Sequence, residues 1–333
     1  MNIYFFYIVF FLASTVLIFI SKKYRIFQDN KIELHKRKLN KSKTLYLGGL
    51  FFLIFLSYEL TTIEDLNSYG FILIIFITGL LSDLKVLNDP KKRFIIQFLL
   101  ITLFVYLLDI TIFKTRFFPL DILLENKIYN YLFVVFCLMV FLNGSNFIDG
   151  INTLAIGYFF VIFLTLNFIP EFIEFNSMNN NIFLILTFLL ILNLLGIIIL
   201  GDSGAYGISL YFGINLIEFS NSYQSISPFL IVLLLWYPCF ELLFSMIRRL
   251  NSKNRSYKPD LKHLHQLIFF KINSFNSYGQ KINHLISSII INLYNLTIFY
   301  LCLKYVYESQ IIILFIFLNI IVYSTIYFLL KRT

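Results

Sequence analysis

The amino-acid sequence predicts an all-α polytopic membrane protein, with about 10–11 transmembrane helices and polar chemistry confined to cytoplasmic loops. Three observations lead there. The 333 residues are 59% hydrophobic and only 14% charged, with a mean hydropathy of +0.81; a soluble domain of this size carries roughly 25% charged residues. Apolar runs near 20 residues, the length that crosses a hydrocarbon core about 30 Å thick, recur along the whole chain. Lys and Arg are clustered: 23 of 27 fall in four segments.

Taken in order, the spanning candidates lie at about 3–20, 45–63, 69–87, 94–113, 128–147, 151–169, 182–201, 204–219, 226–247, 283–304 and 310–330. The first lacks a basic leader and a small-residue cleavage site, so it reads as a retained helix. The weakest is 204–219, where the Gly207 and Gly213 positions suit close helix contact as much as lipid. Segment 114–127, with Pro119, is too short to span and reads as a hairpin or interfacial piece. Cys137, Cys239 and Cys302 sit far apart in apolar runs, without the spacing of a disulfide or metal set. One integral membrane domain over 1–333 is expected.

Orientation follows from the basic residues. Segment 21–44 carries nine, 82–93 carries four, 248–282 carries eight and the C-terminus two. With eleven spans all four fall on one side, which places the N-terminus outside and the C-terminus in the cytoplasm. The net charge of +9 is therefore a topology signal, and nucleic acid is not an expected partner. The same parity puts the loops at about 143–153 and 201–204 with 21–44, 82–93 and 248–282.

Four polar clusters thus share one compartment. Ser82-Asp83 is followed by Lys91, Lys92 and Arg93: an acid with cations ten residues on suits phosphate and metal, although Asp83 alone would serve as a helix cap. Asn143-Gly144-Ser145-Asn146-Phe147-Ile148-Asp149-Gly150-Ile151-Asn152 spaces Asn143, Asn146 and Asp149 by three, one face of a helix bearing oxygen ligands and amide donors. The competing reading makes Asp149 the N-cap of the next helix. Gly201-Asp202-Ser203-Gly204 offers an acid for a hard cation or for a helix start. Lys258-Pro259-Asp260-Leu261-Lys262-His263-Leu264-His265-Gln266 pairs cations with imidazoles, suited to a pyrophosphate or, more plainly, to a solvated loop. There is no P-loop and no nucleophilic Ser or Cys beside a base. Acids for a cation with cations for phosphate describe phosphoryl transfer at a membrane surface.

The ordered set, from Gly48-Gly49-Leu50 through Ser82-Asp83-Leu84-Lys85 to His263-Leu264-His265, resembles the polyprenyl-phosphate N-acetylhexosamine-1-phosphate transferases over about residues 35–270. The resemblance implies transfer of a HexNAc-1-phosphate from a UDP-sugar to polyprenyl phosphate, an EC 2.7.8-type reaction that releases UMP. It implies Mg²⁺, with Mn²⁺ as a substitute, held by Asp202 and Asp149. Asp83, Asp149, Asp202, Arg93, His263 and His265 match catalytic positions. Asn143, Asn146, Asn152 and Lys92 match substrate-binding ones. Three positions depart: Ser82 stands for the first acid of a pair, Asn152 for a second acid and Gln266 for a third His. A Ser at 82 removes any mechanism needing an acid there, and favours direct attack by the lipid phosphate, which is largely dianionic at neutral pH. The departures suit the branch serving O-antigen, capsule or glycan-carrier assembly. The expected setting is the bacterial inner membrane, with a homodimer left open. The rival is a transporter or flippase of a lipid-linked solute, for which Glu241, an acid within an apolar run, is the residue to watch.

Overall fold

The computed structural model describes residues 3–27, 44–59, 66–175, 180–251, 262–275 and 279–332. Most of the basic segment 21–44 and the stretch 252–261, with Lys258 to Leu261, lie outside the described residues. The helices are α1 (Ile3–Tyr24), α2 (Gly48–Glu59), α3 (Leu66–Asp83), α4 (Pro90–Leu107), α5 (Phe118–Leu124), α6 (Lys127–Ile148), α7 (Leu154–Leu166), α8 (Pro170–Phe175), α9 (Asn180–Leu194), α10 (Gly201–Ser222), α11 (Pro228–Leu234), α12 (Trp236–Asn251), α13 (Leu264–Phe275), α14 (Gln280–Cys302) and α15 (Ser309–Arg332). The protein is an all-α polytopic membrane protein. Every predicted span contains a helix among the described residues.

Span lengths need correction. Among the described residues four helices are long and apolar enough to cross a bilayer, in α1, α6, α14 and α15; a fifth counts if α11 and α12 form one span bent by 69°. Helices α2, α7 and α9 have 12, 13 and 15 residues, about 18–23 Å at 1.5 Å per residue and short of about 30 Å of hydrocarbon. The apolar runs overreach because apolarity persists where the helix has stopped. The end of run 182–201 pairs as a strand: β2 (Ile198–Ile199) lies parallel to β1 (Leu45–Tyr46). The run 69–87 stops at Asp83, and Lys85 turns the chain with φ 61°.

Local chemistry sets the boundaries. Asp89 caps α4 by accepting from the Lys91 amide at 2.9 Å, with Pro90 in the first turn where its missing N–H costs nothing. Asn126 caps α6 through the Ile128 amide at 3.0 Å. The bend between α11 and α12 follows from Pro238, which has no N–H for the Leu234 carbonyl four residues back. The Tyr158 hydroxyl supplies that donor at 2.8 Å, so a buried carbonyl keeps its partner.

Helix α10 is the axis of the bundle. It packs against α2, α3 and α6, and most of its residues, polar ones included, are buried. The sequence rates it the poorest membrane span because it faces protein and not lipid. Gly79 of α3 allows a close approach, since a Cβ there would lie 2.6 Å from the Ser203 backbone nitrogen. That contact brings the end of α3 onto the start of α10.

Candidate active site

The N-terminus of α10 is where the polar motifs meet. Its first amides have no partner inside the helix and carry the positive end of its dipole. Two carboxylates from other elements answer them. Asp149, just past the end of α6, accepts from the Gly201 amide at 3.1 Å. Asp83, the last residue of α3, accepts from the Asp202 amide through Oδ1 at 2.9 Å, and through Oδ2 from the Ser203 amide at 3.0 Å and hydroxyl at 2.6 Å. Gly201 makes this arrangement feasible. It holds φ 75°, and a Cβ on it would come 2.8 Å from Asp83 Oδ2.

The cap reading of Asp83 is therefore realised, on a helix other than its own. Neither Asp149 nor Asp202 caps its neighbouring helix: Thr153 takes that position for α7 and Leu200 for α10. Asp202 instead pairs with Arg93 of α4, whose Nη1 donates to Asp202 Oδ2 and also to Ser82 Oγ. The Ser82 hydroxyl donates to the same Oδ2 at 2.6 Å. Ser82 thus bridges a cation and an acid, where a carboxylate would have added a third negative charge. Burial, and then the charge of Asp202, push the Asp83 carboxyl up to about 7 against the pull of its three hydrogen bonds. Its residue surface is only partly buried, but the carboxylate itself is enclosed by its donors.

The remaining predicted residues divide. Asn143, Asn146 and Asp149 do lie on one half-exposed face at the end of α6. The Asn146 amide donates to the buried Tyr206 hydroxyl at 3.2 Å, while that of Asn143 returns to its own helix at the Met139 carbonyl. Asn152 is half-buried in the turn before α7. Of the two basic candidates after Asp83, Arg93 reaches Asp202, while Lys92 is exposed.

The histidines depart from a solvated loop. Both are buried and lie face to face at 5.5 Å. His263 Nδ1 is 2.9 Å from Glu241 Oε1, and its ring stands edge-on to Phe147 at 5.2 Å. His265 faces the Tyr237 hydroxyl at 3.5 Å and lies against Gly150. Gln266 closes the first turn of α13 by accepting from the His263 amide at 3.3 Å. Phe147 and Gly150 bracket Asp149, so the histidine cluster and the acid cluster adjoin through one motif.

Residues 66–220 match the model of glycosyl transferase family 4. That segment, just under half of the chain, is similar to the family. Its members are polyprenyl-phosphate sugar-1-phosphate transferases, and the chain is, in general terms, a membrane-embedded sugar-phosphate transferase. The matched segment contains Asp83, Arg93, Asp149 and Asp202, and stops short of the histidines. No curated protein matches the chain.

Family members generally use a divalent metal. Among the described residues no group of three or more His, Cys, Asp or Glu is arranged to hold one. The donor set still fits a hard cation of the Mg²⁺ kind, which takes one or two carboxylates and keeps water and substrate phosphate as its other ligands. Asp202 in the first turn of α10 and Asp149, which accepts from the Gly201 amide, supply that number.

Proposed function

We propose that this protein transfers a HexNAc-1-phosphate from a UDP-sugar to polyprenyl phosphate, releasing UMP, at the cytoplasmic face of a bacterial inner membrane. The observation that carries the reading is the convergence of Asp83, Asp149 and the Arg93–Asp202 pair on the N-terminus of α10. It joins acid oxygens for a cation to a guanidinium for phosphate at the end of a membrane bundle. Phosphoryl transfer needs little covalent chemistry from the protein beyond such positioning and neutralisation.

In this reading a lipid phosphate oxygen attacks the sugar-bearing phosphorus. A bond forms there, the bridging P–O bond to the nucleotide phosphate breaks, and UMP leaves with the electron pair. The dianionic phosphate needs no protein base, in keeping with Ser82 in place of an acid. Asp202 and Asp149 would hold Mg²⁺, which supplies charge neutralisation at the pyrophosphate. Arg93 neutralises phosphate oxygens, and Asn143 and Asn146 face the donor with Asp149. Asp83 orients Asp202 through its backbone. Glu241, the residue to watch for the rival transporter reading, is buried and engaged with His263 and Tyr323.

The test is direct. Purified protein in detergent, given Mg²⁺, polyprenyl phosphate and a panel of UDP-HexNAc donors, is expected to release UMP from at least one. No release from any donor overturns the proposal.

A further inference from the structure

Glu241 belongs to none of the motifs, yet it is fully buried, at 0% exposure, in the middle of α12. A buried carboxylate needs partners for its lone pairs. Oε1 lies 2.9 Å from His263 Nδ1 and accepts from Ser245 Oγ at 3.4 Å. Oε2 accepts from the Tyr323 hydroxyl of α15 at 2.8 Å and from the Leu264 amide at 3.4 Å. Donors from α12, the start of α13 and the C-terminal helix therefore converge on one acid. This set has a consequence for the imidazole. An unprotonated Nδ1 would set its lone pair against the carboxylate, so Nδ1 carries the hydrogen. Nε2 is then the edge turned to Arg249, whose Nη2 lies 3.5 Å away.

Arg249 is itself buried, and its guanidinium lies over the Phe147 ring at 5.6 Å. His263 stands against the same ring. Phe147 sits between Asn146 and Asp149, so the chain of contacts from Tyr323 through Glu241, His263 and Arg249 ends at the donor-facing motif. The planar guanidinium fork of an Arg suits phosphate oxygens.

We infer that Glu241 is a positioning residue, which fixes the His263 ring so that its Nε2 accepts from Arg249 and holds that guanidinium beside Phe147 to receive the pyrophosphate of the donor. This role rests on the transferase reading. Its mark is coupling: Glu241 acts only through His263.

The kinetic experiment compares Glu241→Gln, His263→Ala and the double variant in membranes or detergent. Glu241→Gln keeps the shape but loses the charge, and its amide opposes the Tyr323 and Leu264 donors. The expected result is a KM for the UDP-sugar raised on the order of 10-fold, as when the partner of a working His is removed, with KM for polyprenyl phosphate unchanged. Glu241→Asp recovers part of the loss. The double variant is no worse than His263→Ala alone. Losses that multiply, or a Glu241→Gln enzyme with unaltered KM, overturn the inference. A second measurement is independent of turnover and of any variant of Glu241. Histidine-¹⁵N-labelled wild-type protein in nanodiscs is expected to show an exchange-protected Nδ1–H that vanishes in His263→Ala; a His263 protonated only at Nε2 overturns the inference. If wild-type protein releases no UMP from any donor, the transferase reading fails, and the Nδ1–H signal still decides the positioning.

Discussion

The two ends of α10 use polar side chains in opposite ways. At its N-terminus, side chains from α3, α4 and α6 hold the helix amides and one another through carboxylates and a guanidinium. About 33 Å away, at 1.5 Å per residue, polar side chains mostly hold backbone. Arg116, at φ 59°, donates to the carbonyls of Gln224, Ser225 and Tyr307 at 2.6–2.9 Å, joining the loop after α10 to the start of α15. Asn130 takes both the amide and the carbonyl of Ile112, Asp121 takes the Thr115 amide, and Asn221 takes Phe113 and Thr111. Side chain to backbone bonds fasten loops. Charged side chains clustered at a helix start concentrate a field that a polyanionic substrate can use. The first end is where the proposed chemistry would take place, and the second fastens loops.

Substitutions can break that contrast, and the largest effect is expected at Asp202 and Arg93. Asp202→Ala removes the partner of Arg93 and a proposed metal ligand, and UMP release is expected to disappear while the thermal unfolding midpoint in detergent stays near wild type. Arg93→Ala is expected to lower kcat by about 1,000-fold, the scale of losing a transition-state arginine, with Arg93→Lys recovering a minor part because a point charge lacks the planar fork. An active Asp202→Ala enzyme would remove the metal role.

Next comes Asp83, where the site's fastening and its chemistry overlap. Asp83→Ala leaves two amides and a hydroxyl at the α10 start without their acceptor. A loss of about 1–3 kcal/mol in stability is expected, together with reduced turnover, because Asp202 is displaced with its backbone. Thermal unfolding and UMP release measured on one preparation check both. A catalytic role without the capping role would spare stability.

How much of this was legible beforehand depends on the range of the contacts. Asn143 to Asn152 stood out because three amides, an acid and two glycines are costly in an apolar chain unless used. The Asp83 and Asp202 loops stood out for the same reason, and charge parity placed them together. The bias of parity toward counting spans hid the shortness of α2, α7 and α9, since apolar residues also fill the β1–β2 pair. Glu241 and Tyr323 could not be assigned from local pattern. Their partners are 22 and 82 residues away in the chain, and no period in a helix reports a contact at that range. Arg249 was lost among eight basic residues read as a topology signal, although only its neighbourhood to Phe147 distinguishes it. The opposite error concerns the histidines: their basic flanks suggested solvent, while the folded chain buries both.

The smallest effects sharpen the comparison most, because they separate fastening from chemistry. Arg116→Ala deletes a guanidinium that contacts carbonyls of two loops, but the side chain is exposed. Water replaces part of each lost bond, so the expected cost is about 1 kcal/mol, read as a lower unfolding midpoint with kcat unchanged. Lys92→Ala is the mirror case at the active end. Lys92 lies one residue from Arg93 but is exposed, where screening by salt weakens its pull on phosphate. Its loss is expected to raise KM for the donor only slightly, and only at low ionic strength. Should Lys92→Ala cost as much as Arg93→Ala, phosphate would have to be bound outside the Arg93–Asp202–Ser82 cluster, and the division between the two ends of α10 would need a different site.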